Sequence, residues 1–176
     1  VEVEVDHSGR LLPLYWELHR ATVRRWAAER PGTPKWVTRL RSRWVNPTSP
    51  RLLERVARHF GSGFAVWLAR VDGRPAASIV VLTTGREAQY RWGAMDKELA
   101  GPTHASDLLQ RLAIEQACRA RLARYDMGGA ETGTPLARWK QKFGATPRRN
   151  HFLVAATPAL HEARRLAGRA LSAAQP

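Results

Sequence analysis

Cysteine is nearly absent from this sequence, since Cys118 is the only one among 176 residues. One thiol forms neither an intrachain disulfide nor a cysteine-based zinc cage, so a reducing compartment, the cytoplasm, is the expected location. The six histidines show no His-x-x-x-His spacing. We therefore expect no metal site.

Long hydrophobic runs are missing as well. No stretch approaches the ~18 apolar residues of a membrane span, and residues 1–5 lack the basic and apolar regions of a signal peptide, so we expect no integral membrane segment. Hydrophobic residues nevertheless make up 44% of the chain, and seven tryptophans are present. This composition excludes a disordered chain, and the length favours a single domain over residues 1–176.

Acidic residues are scarce relative to basic ones. The chain has 29 Lys and Arg against 15 Asp and Glu, which gives a net charge of +14. Such a charge attracts polyanions from solution, and nucleic acid and anionic membrane are the usual ones. The composition therefore favours a phosphate-bearing partner over a merely solvated basic surface.

Hydrophobic periodicity predicts the order of secondary structure. Alternating or β-branched segments predict strands over residues 1–6, 64–70, 75–84, 87–94, 124–127 and 151–156. Apolar residues at helical spacing predict helices over residues 10–29, 34–44, 49–60, 105–120, 135–142 and 158–171. Asp72-Gly73 indicates a type I′ hairpin, whereas Gly101-Pro102-Thr103 indicates a break in the chain. The order predicts an α+β fold with one mixed sheet.

Four motifs follow one another along the chain. They read YRWGA (90–94), LL (108–109), YDMGG (125–129) and LARWKQKFG (136–144). This series, within a match over residues 14–153, resembles the FemABX group of GNAT-like proteins, with Trp139 where Phe is usual. The resemblance implies a GNAT-like mixed, mostly antiparallel sheet that is flanked by helices and has splayed central strands.

The resemblance also implies a reaction. FemABX proteins move an amino acid from aminoacyl-tRNA to an amine of a peptidoglycan precursor, a small metabolite or a peptide, and they need no cofactor besides this donor. Members commonly contain two GNAT-like units, whereas this chain has room for one. The chain therefore resembles either the second unit or a shortened single-unit relative, and a second GNAT-like unit or a homodimer is a possible partner that would complete the acceptor site.

Site residues are carried over from the motifs. By resemblance, Lys140 is the catalytic residue, which places positive charge near the reaction's oxyanion or the terminal tRNA phosphate. Trp139 offers a flat face to the terminal adenine, or alternatively packs in the helix core. The remaining substrate-binding candidates are Asp126, Gly128, Gly129, Tyr90 and Arg91. Because side chains alternate along a strand, only one of the neighbours Tyr90 and Arg91 can face a cleft. The RNA-binding candidates are Arg138, Lys142, Arg148 and Arg149.

Two other functions remain open. An acyl-CoA-dependent N-acyltransferase, using acetyl-CoA or another acyl-CoA, binds pyrophosphate with a Gln/Arg-x-x-Gly-x-Gly/Ala loop at the start of its central helix. Here residues 97–104 contain one glycine, Gly101, followed by Pro102, which has no N–H to donate. A non-catalytic RNA-binding module would use arginine clusters for phosphates and tryptophans for bases.

Overall fold

The computed structural model describes residues 1–28 and 49–149. The chain divides into two compact units, Val1–Ala145 and Thr146–Pro176, and only residues 146–149 of the second are described. The helix expected over residues 34–44, the strand over residues 151–156 and the helix over residues 158–171 lie outside the described residues. A single domain over the whole chain stays a prediction.

Within the described residues, five strands form one sheet in the order β1-β2-β3-β4-β5. Their bounds are β1 Glu2–Asp6, β2 Phe64–Val71, β3 Arg74–Thr84, β4 Glu87–Met95 and β5 Arg124–Asp126. The first four strands pair antiparallel, whereas β5 pairs parallel to β4. A mixed, mostly antiparallel sheet is therefore confirmed.

Helices cover both faces of this sheet. They are α1 Leu12–Ala28, α2 Pro50–Phe60, α3 Lys97–Thr103, α4 Ala105–Arg119 and α5 Pro135–Gln141. Strand β2 is buried on both sides because its alternate residues enter different cores. Phe64, Val66 and Leu68 pack with α1 and α2, whereas the residues between them pack with α4. None of these described helices is long and apolar enough to span a membrane.

Two buried polar residues attach α1 to the sheet. Asp6, at the end of β1, accepts a hydrogen bond from the Leu11 backbone N–H at 3.0 Å, and from the Ser8 hydroxyl at 2.6 Å. The hydroxyl of Thr22 donates to the Met95 carbonyl at 3.0 Å and accepts from the Met95 N–H at 3.1 Å. The helix is thus anchored at the beginning of the sheet and at the end of β4.

The turn predicted at Asp72-Gly73 is confirmed, whereas the break predicted at Gly101-Pro102-Thr103 is wrong. Asp72 and Gly73 have φ angles of 50° and 74°, as a type I′ turn requires. The break expected at Gly101-Pro102-Thr103 is instead the end of α3. This helix forms because Asp96 caps its first turn, and Pro102 is tolerated so near the end of a short helix. The chain turns only at His104, which has a left-handed backbone.

Candidate active site

A cleft opens where β4 and β5 diverge. The two strands pair over three positions only, the last being Gln89 with Asp126. Strand β4 continues to Met95, and no strand among residues 1–28 and 49–149 pairs with it on that side. Within the described residues, its backbone N–H and C=O groups on that side have no strand partner, and such groups can bind a ligand. The splayed strands expected from the resemblance are confirmed.

A β-bulge decides which side chains face this cleft. Val80 lies opposite Trp92 and Val81 opposite Tyr90, so Arg91 is the extra residue in β4. The bulge reverses the alternation of side chains along the strand. Tyr90 packs against the core beneath α4, while Trp92 packs against the core beneath α1. Arg91 is exposed, with its guanidinium 5.1 Å from the centre of the Trp92 ring.

Tyr90 lies across Gly93 on the cleft side of the sheet. An ideal Cβ at Gly93 would stand 2.1 Å from the Tyr90 hydroxyl. Only glycine therefore lets the ring take this position. Burial raises the pKa of Tyr90 to about 12, so the hydroxyl keeps its proton at neutral pH. A protonated hydroxyl therefore lies beside Gly93 of β4.

A second tyrosine lies beside it on β5. Tyr125 is opposite Ala88, so Tyr90 is its diagonal neighbour on the same face. The fully buried Gln110 of α4 donates from Nε2 to the Tyr125 hydroxyl at 2.9 Å. Burial raises the pKa of Tyr125, and the Gln110 hydrogen bond only partly offsets that effect. Both tyrosines are thus neutral hydroxyls at the floor of the cleft.

The chain leaves β5 through a tight turn. Gly128 has a φ of 73° and donates its N–H to the Asp126 carboxylate at 2.7 Å. An ideal Cβ on Gly128 would be 3.4 Å from the Tyr90 carbonyl oxygen, so the turn runs close to β4. The Asp126 carboxylate also accepts a long hydrogen bond from Gln89, at 3.4 Å. The structure therefore brings together three of the predicted residues, Tyr90, Asp126 and Gly128.

Lys140 reaches this turn from α5. Its Nζ donates to the carbonyl oxygens of Gly128 and Gly129, each at 2.8 Å, and the residue is only 7% exposed. An ammonium has three N–H groups, so one of them has no partner within the described residues. Burial lowers the pKa of Lys140, and the Asp126 carboxylate partly offsets this. The predicted catalytic residue is thus placed in the cleft wall, and its catalytic role stays a prediction.

Trp139 has a polar partner as well as an aromatic one. Its ring packs edge-on against Phe143, with centroids 5.2 Å apart. Its indole Nε1–H donates to the Asp107 carboxylate at 2.7 Å. These contacts match the core alternative for Trp139, and adenine stacking stays a prediction. The sequence does not reveal that Asp107 accepts the hydrogen bond of Trp139, because no sequence pattern links two residues 32 positions apart.

The first turn of α4 is the place where an anion would meet a helix dipole. The first N–H with a partner inside the helix is that of Leu108, which bonds to the His104 carbonyl, so the preceding N–H groups point out of the helix end. The Asp107 carboxylate also lies in this turn, and His104 contacts it at 3.3 Å. For an anionic ligand, the helix dipole at this position is favourable, whereas the Asp107 carboxylate is unfavourable.

The predicted RNA contacts are all exposed. Arg138 lies on α5 and donates to the Gly133 carbonyl at 2.6 Å, and Lys142 follows the same helix. Arg148 and Arg149 belong to the second unit. RNA binding by these four residues stays a prediction.

Comparison with protein families decides the broader class. The acetyltransferase (GNAT) domain family matches residues 1–141, which include the cleft and every contact described above for it except the packing of Phe143. The chain belongs to the GNAT acetyltransferase family. No curated protein matches the sequence. The narrower resemblance of this GNAT protein to the FemABX group stays a prediction.

Solved structures share the GNAT fold at low sequence identity. A ribosomal-protein-alanine N-acetyltransferase from Brucella melitensis biovar Abortus 2308 aligns with a TM-score of 0.57 at 12% identity, over 89% of this chain and 100% of that one. An aminoglycoside acetyltransferase from an uncultured soil metagenomic sample, solved with sisomicin, aligns with a TM-score of 0.61 at 10% identity, over 89% and 96%. Aminoglycoside 6'-N-acetyltransferase from Acinetobacter haemolyticus aligns with a TM-score of 0.59 at 10% identity, over 89% of this chain and 99% of that one. These similarities support the fold and do not identify a substrate for this chain.

Proposed function

We propose that this GNAT protein is an N-acyltransferase that moves an acyl group from acyl-CoA to an amine, with the reaction in the cleft between β4 and β5. The observation that carries the proposal is the edge of β4 with which no described strand pairs beyond Gln89, and which is flanked by a protonated tyrosine and a buried ammonium. Family membership and the acetyltransferases among the solved structures support a thioester donor.

The chemistry asks little of the protein. The neutral amine attacks the thioester carbonyl, a C–N bond forms, the C–S bond breaks, the amine loses a proton and the leaving thiolate gains one. The enzyme must align the two reactants and stabilise the oxyanion of the tetrahedral intermediate. Tyr90 has a hydroxyl that stays protonated and is available to the leaving thiolate or the oxyanion. The remaining N–H of Lys140 is the second candidate donor.

One observation favours a second donor. Acyl-CoA enzymes of this fold bind pyrophosphate with a glycine-rich loop, whereas this chain has α3 and Pro102 at that position and Asp107 in the next turn. A carboxylate there opposes a diphosphate. Together with the net charge of +14, this arrangement favours aminoacyl-tRNA as the alternative donor, in which an ester replaces the thioester.

The donor is tested by offering both substrates to the same protein. Release of free thiol from acetyl-CoA and longer acyl-CoAs is measured with a panel of amines, and loss of labelled amino acid from charged tRNA is measured with the same amines. Amine-dependent thiol release supports the proposal. Amine-dependent loss of the amino acid from tRNA, with no thiol release, replaces it with the alternative, and the absence of both reactions overturns the two together.

The role of Tyr90 is tested with Tyr90→Phe, which removes the hydroxyl and keeps the ring. We expect kcat to fall by about a hundredfold or more, since proton transfer by a positioned side chain contributes about 10²–10⁴-fold. Tyr15→Phe removes a second buried hydroxyl, which has no hydrogen-bond partner within the described residues and interacts electrostatically with Tyr90, so it shows whether the loss of kcat is specific to the Tyr90 hydroxyl. An unchanged kcat in Tyr90→Phe would remove this tyrosine from the mechanism.

A further inference from the structure

Helix α5 contacts both ends of the cleft through two adjacent residues. Trp139 bonds to the first turn of α4, and Lys140 bonds to the turn that follows β5. The first turn of α4 lies beside the far end of the open β4 edge, where the Ser106 hydroxyl is 3.3 Å from the Met95 sulfur. The turn after β5 lies beside the near end, at the Tyr90 carbonyl. One short helix therefore bridges the length of the cleft.

The Trp139 contact has a defined geometry. A 2.7 Å hydrogen bond to a carboxylate is charge-assisted, and such bonds are about twice as strong as neutral ones. The edge-on packing against Phe143 fixes the plane of the ring that carries the donor. Because Asp107 belongs to the first turn of α4, the bond sets the distance between α5 and that helix end.

The Lys140 contact orients the backbone of the turn. Both carbonyls of Gly128 and Gly129 face the ammonium at 2.8 Å. A trans peptide holds its N–H opposite its C=O, so the N–H groups of Gly129 and Ala130 point away from Lys140. Gly128 and Gly129 are themselves exposed, so without the ammonium their carbonyls would turn to water, and the glycines would have little to hold their conformation.

We infer that Trp139 and Lys140 are a pair of positioning residues that hold the two ends of the cleft at a fixed separation through α5. Trp139 positions the first turn of α4, and Lys140 positions the turn Gly128-Gly129. The inference rests on the proposed function in one respect: acyl transfer takes place in this cleft. It assigns to both residues a role through the backbone they hold, in place of base stacking for Trp139 and in place of direct contact with the oxyanion for Lys140.

The test separates the two contacts by amide hydrogen exchange, measured by mass spectrometry without substrate. Trp139→Phe removes the indole N–H, and Lys140→Met removes the ammonium while keeping the apolar stem. We expect exchange to accelerate about tenfold or more at hydrogen-bonded amides beside the removed contact: over residues 108–112 of α4 in the first variant, and over residues 125–128 in the second, where β5 pairs with β4 and Gly128 donates to Asp126. The matched controls are Trp26→Phe and Arg74→Met, both at exposed positions, and neither changes these segments.

Kinetics supply a readout that a general loss of stability does not move. Trp139→Phe raises KM for the donor about tenfold with a smaller change in kcat, because Asp107 loses the indole N–H and its carboxylate then repels donor phosphates that approach the first turn of α4 more strongly. Lys140→Met lowers kcat about tenfold, since small displacements of the reacting groups slow the reaction this much. The double variant shows both effects in one enzyme.

Either of two results overturns the inference. One is unchanged exchange in the segment that the removed contact holds. The other is acceleration spread over the whole sheet with the same KM and kcat in both variants, which describes destabilisation alone. If no donor reacts at all, the proposed function fails, while the exchange pattern still decides whether α5 holds the two ends of the cleft.

Discussion

Substitution of Gly93 by alanine is expected to push Tyr90 out of the cleft. The added Cβ would stand 2.1 Å from the Tyr90 hydroxyl and 3.0 Å from the ring carbon that bears it. Real Cβ atoms essentially never approach a heavy atom closer than 3.0 Å, so the ring must move. The ring is half-buried against the core beneath α4, so moving it gives up part of those contacts.

The magnitude follows from two opposing effects. Overpacking of this kind costs about 1–3 kcal/mol. Glycine inside a strand is itself less favourable than alanine by about 0.5–1 kcal/mol, so the substitution also brings a smaller gain. We expect a net loss of about 1–2 kcal/mol in the free energy of unfolding, measured by urea denaturation with thermal melts as a second probe. If the proposed role of Tyr90 is right, kcat falls as well.

A double-mutant cycle isolates the clash from other effects of the substitution. In a Tyr90→Ala background the ring is gone, so Gly93→Ala should be neutral or stabilise the protein by about 0.5 kcal/mol. The sign of the effect therefore reverses between the two backgrounds. Equal destabilisation by Gly93→Ala in both would show that Tyr90 does not lie across Gly93, and the geometry of the cleft would have to be revised.

Three further substitutions test the frame around the cleft. Burial favours a raised pKa for Asp6, but the hydrogen bonds to its carboxylate outweigh this effect, and its pKa is lowered. Asp6→Asn should therefore lower the free energy of unfolding by about 1–2 kcal/mol at pH values above the unfolded pKa of 3.8. Urea denaturation at a series of pH values should show that this difference disappears as pH falls through the folded pKa. Thr22→Val removes both hydrogen bonds to Met95 and should cost about 1–3 kcal/mol, whereas Thr22→Ser should restore most of that in the same melts. Gly73→Ala should lower the free energy of unfolding by about 1 kcal/mol in urea denaturation, because Gly73 has a φ of 74°. The control is Gly101→Ala. If Gly73→Ala destabilises the protein less than this control, the turn assignment is contradicted.

Local rules in the sequence determined most of the elements near the cleft. Alternation and β-branched residues located β1 to β4 to within two residues, because a strand buried on a face must repeat with period two. Asp72-Gly73 specified its turn because few residues adopt positive φ. Composition alone also established the strong positive charge. The motifs implied the splayed strands, since they matched a known arrangement around residues 125–129.

Contacts between distant segments decided the rest. The bulge at Arg91 depends on the register between β3 and β4, and it reverses which residues of β4 face each core. The hydrogen bonds of Trp139 to Asp107 and of Lys140 to Gly128 join segments that no periodicity connects. For the same reason, a lysine that the motif offered as a free charge proved to be held by two carbonyls. Sequence named the residues of the cleft, whereas only the tertiary structure showed which of them meet, because donor and acceptor become neighbours only after the chain has folded.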